Sequence, residues 1–175
     1  MQRRSTSRLV IDLAALAVVL GILAVRLWVY RPVNVIQDSM LPTLRPGDKL
    51  LVNTWSWRRD LPRRGTIIVM ETAEKEWVVK RVVAVQGNLV ELGPRGLKIN
   101  GERIREPYAV RYRGDPPTRL RVPNGAVYVL GDNRPFSNDS RDFGPVKRAA
   151  IIGEAVAILA PKERRRWLPP PETIR

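Results

Sequence analysis

Histidine and cysteine are both absent from the 175 residues. Without histidine there can be no Ser-His-Asp triad. A serine nucleophile, whose hydroxyl reacts poorly near neutral pH, would need a different base. Without cysteine there are no disulfides, no thiol catalysis and no thiolate metal sites. With neither residue, a zinc site would rest on carboxylates alone, so no metal or cofactor is expected. Acidic residues are scarce too: 17 Asp and Glu stand against 31 Lys and Arg, a formal charge of +14. Such a charge suits an anionic bilayer surface or nucleic acid, or is simply a solvated arginine-rich surface.

What is present begins with a long apolar run. Residues Leu9 to Tyr30 read LVIDLAALAVVLGILAVRLWVY, about 33 Å as a helix and long enough to cross a bilayer. Asp12 and Arg26 stand near its ends, and Trp28 and Tyr30 resemble an interfacial belt. Arg3, Arg4 and Arg8 precede it, which predicts a cytoplasmic N-terminus. A cleaved secretory signal has the same charged start and apolar middle. However, no small residues at alternating positions follow the run, which favours a retained anchor over a cleaved signal or a buried core helix. The expected organisation is residues 1–8 cytoplasmic, 9–30 transmembrane, 31–160 a β-rich extracytoplasmic domain and 161–175 a basic, proline-rich tail, disordered or extended.

After Pro32 the pattern changes to short runs rich in Val, Ile, Trp and Tyr, divided by turn formers. Strands are expected at 49–53, 66–71, 77–86, 89–92, 97–99, 103–104, 108–112, 126–130 and 151–159. Gly87-Asn88 and Asn100-Gly101 are hairpin signals. No long amphipathic helix follows residue 31. The expected class is all-β, a partly closed antiparallel barrel or sandwich behind one N-terminal transmembrane helix.

Three segments can carry chemistry. Ser39, in Asp38-Ser39-Met40-Leu41-Pro42, is expected at a strand end or turn, exposed near the outer membrane surface, because Pro42 stops any helix. A serine in a turn is ordinarily just a turn residue. Lys80 lies in Trp77-Val78-Val79-Lys80-Arg81-Val82-Val83-Ala84-Val85, a run apolar on both faces, so each face should bury one charge. Burial lowers a lysine pKa, and the neutral amine could then take the serine proton. The plainer reading is an edge-strand lysine reaching water. The third segment, Gly131 to Val146, alternates carboxylates, hydroxyls and arginines around Phe136 and Phe143. That suits an ordered loop whose Ser137 hydroxyl could orient the lysine amine.

Taken together, these segments resemble the bacterial type I signal peptidases (leader peptidases). The likeness runs in order through Ser39 to Leu44, Arg64 to Val69, Lys80 to Val83, and Gly131 to Arg134 with Ser137, Asp139, Ser140, Arg141, Phe143 and Gly144. It implies a membrane-bound Ser-Lys endopeptidase without cofactor that removes signal peptides from preproteins after small residues, on the outer face of the inner membrane. It implies Ser39 as nucleophile, Lys80 as general base and Ser137 as the group positioning the amine. Asp132 with Arg81, and Asp139 with Arg141, would be supporting ion pairs. The Ser39 N–H would serve the oxyanion. Substrate would add as a strand against Asn34, Ile36 and Asp38 on one side and Trp77 and Val79 on the other. Its partners would be tethered preproteins and the bilayer, not nucleic acid. Three positions depart from the pattern: Gln37, Thr66 and Val85 to Asn88. Gln37 stands where some relatives carry a second oxyanion donor.

Two other readings remain: a self-cleaving Ser-Lys protease of related fold, and a catalytically inactive anchored protein that binds anionic partners. The anchor and the absence of a DNA-binding helical domain argue against the first, and the intact Ser39, Lys80 and Ser137 set against the second. Trp55 and Trp57, with Arg58 and Arg59, further suggest contact with the lipid interface.

Overall fold

The computed structural model describes residues 3–58, 60–110, 114 and 117–169, without the side chains of 3–7, 22–28 and 57. Helix α1 spans Arg3–Val29 and is followed directly by strand β1, Tyr30–Asn34. The expected span therefore ends one residue early, because Tyr30 already pairs with Asn53. Part of that span, 22–28, falls on side chains outside the described ones. Among the described residues, no helix is long and apolar enough to cross a membrane.

The strands that follow are β2 (Lys49–Asn53), β3 (Ile67–Glu71), β4 (Trp77–Val85), β5 (Leu89–Leu92), β6 (Lys98–Ile99), β7 (Glu102–Arg103), β8 (Thr118–Arg121), β9 (Ala126–Leu130), β10 (Val146–Lys147), β11 (Ile151–Ala160) and β12 (Arg166–Trp167). A single-turn helix α2, Ser140–Phe143, lies between β9 and β10. The larger sheet has the order β1-β2-β11-β3-β4-β9-β10, with β12 also on β11. The smaller has the order β7-β6-β5-β8. The fold is mostly β, as expected; among the described residues it forms two sheets and no closed barrel.

The centre of the larger sheet follows from composition. β4 is buried at seven consecutive positions, and every residue of β9 is buried. Such strands are covered on both faces and show no polar alternation. β11 instead alternates buried and half-buried residues through its first seven positions. At Gly153 it passes so close to β2 that a Cβ would lie 2.6 Å from the Asn53 carbonyl oxygen. The smaller sheet has its own core, built from Val90, Leu97, Ile99 and Val122 with Tyr128 and Leu130 of β9.

Of the two hairpin signals, Asn100-Gly101 joins the antiparallel pair β6 and β7, with both residues at positive φ as a tight turn requires. Gly87-Asn88 is a different kind of turn. It hands the chain from the larger sheet to the smaller, and β4 pairs with β9 instead of β5. The expected strand at 108–112 is not one in its described part: 108–110 is a turn with an isolated bridge from Val110 to Asn133, and 111–112 lie outside the described residues. The tail is ordered at its start, because β12 pairs with β11 and Leu168 is buried. Its last six residues, 170–175, lie outside the described residues.

Candidate active site

Ser39 sits in a one-turn 3₁₀ helix, Asp38–Met40, and Lys80 projects from the middle of β4. The Lys80 Nζ lies 2.8 Å from the Ser39 Oγ and donates to it, across 41 residues of sequence. Ser39 is 5% exposed and Lys80 2% exposed. A turn was one of the two expected settings; the burial was not. Met40 and Leu44 beneath the turn are core residues and draw it into the protein. The neighbouring Arg81 is also buried, so β4 does bury one charge on each face. Burial is the main cause that brings the Lys80 amine down from 10.5 to about 8. The charge of Asp139 opposes this fall, and that of Arg141 adds to it.

The strand-loop segment after β9 holds the turn from the other side. Asn133 N–H donates to the Ser39 carbonyl at 3.0 Å, and the Asn133 side-chain amide donates to the Asp38 carbonyl at 3.1 Å. Gly131 makes this approach possible. A Cβ there would stand 2.5 Å from the Ser39 carbonyl oxygen and 2.2 Å from the Ser137 Oγ. No real side chain tolerates such contacts with a backbone atom.

Two buried ion pairs frame the dyad. Arg81 meets Asp132 with two hydrogen bonds, 2.8 and 2.7 Å. It also donates to the Gly65 carbonyl at 3.0 Å and lies 4.0 Å above the Tyr108 ring. Thr43, four residues past the nucleophile, donates to Asp132 as well. Asp139 caps α2 and accepts from Arg141, from Gly131 N–H and from Ser137. Both pairs join the residues expected from sequence. A planar guanidinium gripping a carboxylate with two bonds fixes direction as well as distance.

Ser137 is placed differently from its expected role. Its hydroxyl donates to Asp139 at 2.7 Å, not to the lysine amine. A carboxylate is the stronger acceptor and sits two residues away. Among the expected substrate contacts, Asn34, Ile36, Trp77 and Val79 line one groove of about 600 Å³ together with Ser39. Asp38 is not on that groove; its carbonyl is held by Leu41 N–H and Asn133. Gln37 does line the groove, and its side chain makes no capping bond to the turn.

Two further, partly buried pairs were not anticipated. Arg134 grips Glu106, and Arg164 of the tail grips Asp48 with bonds of 2.7 and 2.8 Å. Arg164 and Arg166 also donate to the Thr43 carbonyl, so the tail braces the loop that follows the nucleophile. Nothing local in a basic, proline-rich stretch signals such a partner 116 residues away. Trp55 is exposed, stacks beneath Arg58 at 5.3 Å, and follows Thr54, whose N–H bonds to Val29 at the end of α1. The Trp57 side chain lies outside the described residues.

The structure thus sets a buried lysine against a buried serine on a mostly β scaffold. Comparison with known proteins gives the family. The family described as "Signal peptidase, peptidase S26" matches residues 7–160. A probable signal peptidase I-1 of Synechocystis is 36% identical over 167 residues, covering 88% of this chain and 83% of the relative. A signal peptidase I of Bacillus caldolyticus is 38% identical over 143 residues, covering 74% and 79%. A crystal structure of a signal peptidase I from Enterococcus faecalis is 32% identical, with a TM-score of 0.47, covering 57% of this chain and 97% of that one. The chain belongs to the signal peptidase family, peptidase S26, and is a serine endopeptidase.

Proposed function

We propose that this chain is a membrane-anchored signal peptidase that removes N-terminal signal peptides from exported preproteins through a Ser39–Lys80 dyad. The observation that carries this reading is the 2.8 Å contact between a buried amine and a buried hydroxyl at the floor of an extended groove. Neutral Lys80 takes the Ser39 proton, and the oxygen attacks the scissile carbonyl. The Ser39 N–H steadies the oxyanion. The amine then gives its proton to the departing nitrogen, leaving an acyl-enzyme. Water deprotonated by Lys80 attacks the ester, and the proton returns to Ser39 as the signal peptide leaves.

The Asp132–Arg81 and Asp139–Arg141 pairs act by position: they hold the segments that carry the dyad. Ser137 acts one step further away, by fixing Asp139 and filling the space over Gly131. Substrate lies extended between Asn34–Gln37 and Trp77–Val79. Exposed apolar Ile36 and Trp77 line the groove, and small substrate side chains near the cut would lie against them.

Helix α1 is the anchor in this reading. It runs 27 residues, about 40 Å. Its described apolar side chains, Leu9 to Leu20, are 54 to 66% exposed and pack against nothing in the β domain. Exposed apolar side chains along this stretch, interrupted by Asp12, call for lipid. The β domain, 31–160, would then lie on the extracytoplasmic face of a bacterial inner membrane with residues 1–8 in the cytoplasm.

The dyad is tested by the pH dependence of kcat/KM on a preprotein in detergent. The base is the neutral amine, whose fraction falls as pH drops below about 8. The rate should therefore fall about tenfold between pH 7 and pH 6 and level off above pH 9. A flat profile from pH 5 to 9, with chemistry limiting, would remove Lys80 as the base.

A further inference from the structure

A second groove adjoins the first on the far side of Gln37. It measures about 650 Å³ and lies between the β3–β4 turn and the segment running from Asn138 to Ala150. Gln37, Glu76 and Val78 line both grooves, so the two adjoin there, while Ser39 lines only the first. Its floor is apolar, with Met70 and Val146 buried and Phe143 43% exposed. Its rim is acidic: among the described lining residues, Glu71, Glu74 and Glu76 stand against one cation, Lys147. Glu71 is paired with Lys75 at 2.9 Å, whereas Glu74, bonded only to Thr72 and its own backbone, and Glu76 line the groove without an ion-pair partner among the described residues. In a chain of net charge +14, this is a local reversal of sign.

We infer that this second groove receives the polypeptide on the leaving-amine side of the cut, and that Glu74 and Glu76 favour basic residues there over acidic ones. The inference rests on the peptidase reading above. A substrate strand held in the first groove with its scissile carbonyl at Ser39 must continue past the nucleophile. The groove beyond Gln37 is the continuation the structure offers. An apolar floor accommodates an extended chain of mixed sequence, and an acidic rim adds a charge preference without a deep pocket. Both carboxylates are exposed, so each one's effect is modest and weakened by salt.

Three otherwise identical preprotein substrates test this, with Lys, Gln or Glu at the second and third residues after the cut, using the full chain in detergent at low salt. Wild type should cut the Lys substrate with a kcat/KM about fivefold above the Glu substrate, with Gln between. In the Glu74→Gln, Glu76→Gln double variant, that ratio should fall to about one. Equal cutting of all three by wild type, or a ratio that survives in the double variant, overturns the inference while leaving the peptidase reading intact. If wild type cuts none of the three, the inference falls together with that reading.

Discussion

Replacing Lys80 with methionine should abolish preprotein cleavage at every pH and, at the same time, make the protein more stable. The first effect follows from removing the base: loss of an activating group from a serine hydrolase costs roughly 10⁴-fold or more. The second follows from linkage. The folded-state pKa of Lys80 is depressed from 10.5 to about 8, so the unfolded chain binds the proton more tightly. Folding is therefore opposed by this group wherever the unfolded chain holds the proton, fully below pH 8 and progressively less as pH rises from 8 to 10.5. At pH 7 the cost is about 3 kcal/mol, from a 2.5-unit shift at 1.36 kcal/mol per unit. Methionine keeps most of the volume and carries no charge. After allowing about 1 kcal/mol for the lost bond to Ser39, a net gain of about 2 kcal/mol is expected, a rise in Tm of several degrees. Thermal unfolding at pH 7 and pH 10 checks this, since the advantage should shrink at the higher pH. An inactive variant with lowered Tm at both would mean that Lys80 holds the fold together and is not kept there at its expense.

The second large effect is expected at Gly131. The Cβ of an alanine would fall 2.5 Å from the Ser39 carbonyl oxygen and 2.2 Å from the Ser137 Oγ. The Ser137 Oγ can turn away, although its Cβ, 2.5 Å from the new atom, stays in place. The Ser39 carbonyl cannot turn away, because Asn133 N–H holds it at 3.0 Å within the same segment. The nucleophile turn must therefore retreat from β9, changing its 2.8 Å spacing to Lys80. Displacements of about an ångström in a reacting pair cost roughly 100-fold in rate. Gly131→Ala should lose about that much in kcat, with KM little changed because neither groove is lined by residue 131. The accompanying loss of stability is expected at about 1–3 kcal/mol. Equal kcat in variant and wild type would mean the turn has slack that the steric distances deny it.

Much of this site was legible in the sequence, for identifiable reasons. The missing histidine left lysine as the candidate base. Val78 to Val85 is apolar on both faces, so a buried lysine could be expected before any coordinate was known. Strands β2, β5 and β9 fall on their expected residues because each is short, apolar and bounded by turn formers. β8 was not foreseen: in Thr118-Arg119-Leu120-Arg121 a single apolar residue reaches the core, and the exposed arginines hide the period. The Gly87-Asn88 turn was read as a hairpin because turn chemistry is local, whereas the choice of β9 over β5 as partner to β4 is set by the core around Val83 and Tyr128. Ser137's bond to Asp139 was equally out of reach, since a hydroxyl's partner depends on distances that spacing in sequence does not encode. The tail was expected to be loose because arginine and proline dominate it. Asp48, buried and in need of a cation, is what orders it.

The most direct test uses the intact chain in carbonate-washed membranes, with a preprotein bearing an Ala-x-Ala cleavage site. Wild type should remain in the membrane pellet and release the mature protein with a single new N-terminus. Ser39→Ala, equally abundant in the same pellet and still cooperatively folded, should release none. Mature protein appearing at the same N-terminus with Ser39→Ala would contradict the assignment of Ser39 as nucleophile, and with it the dyad.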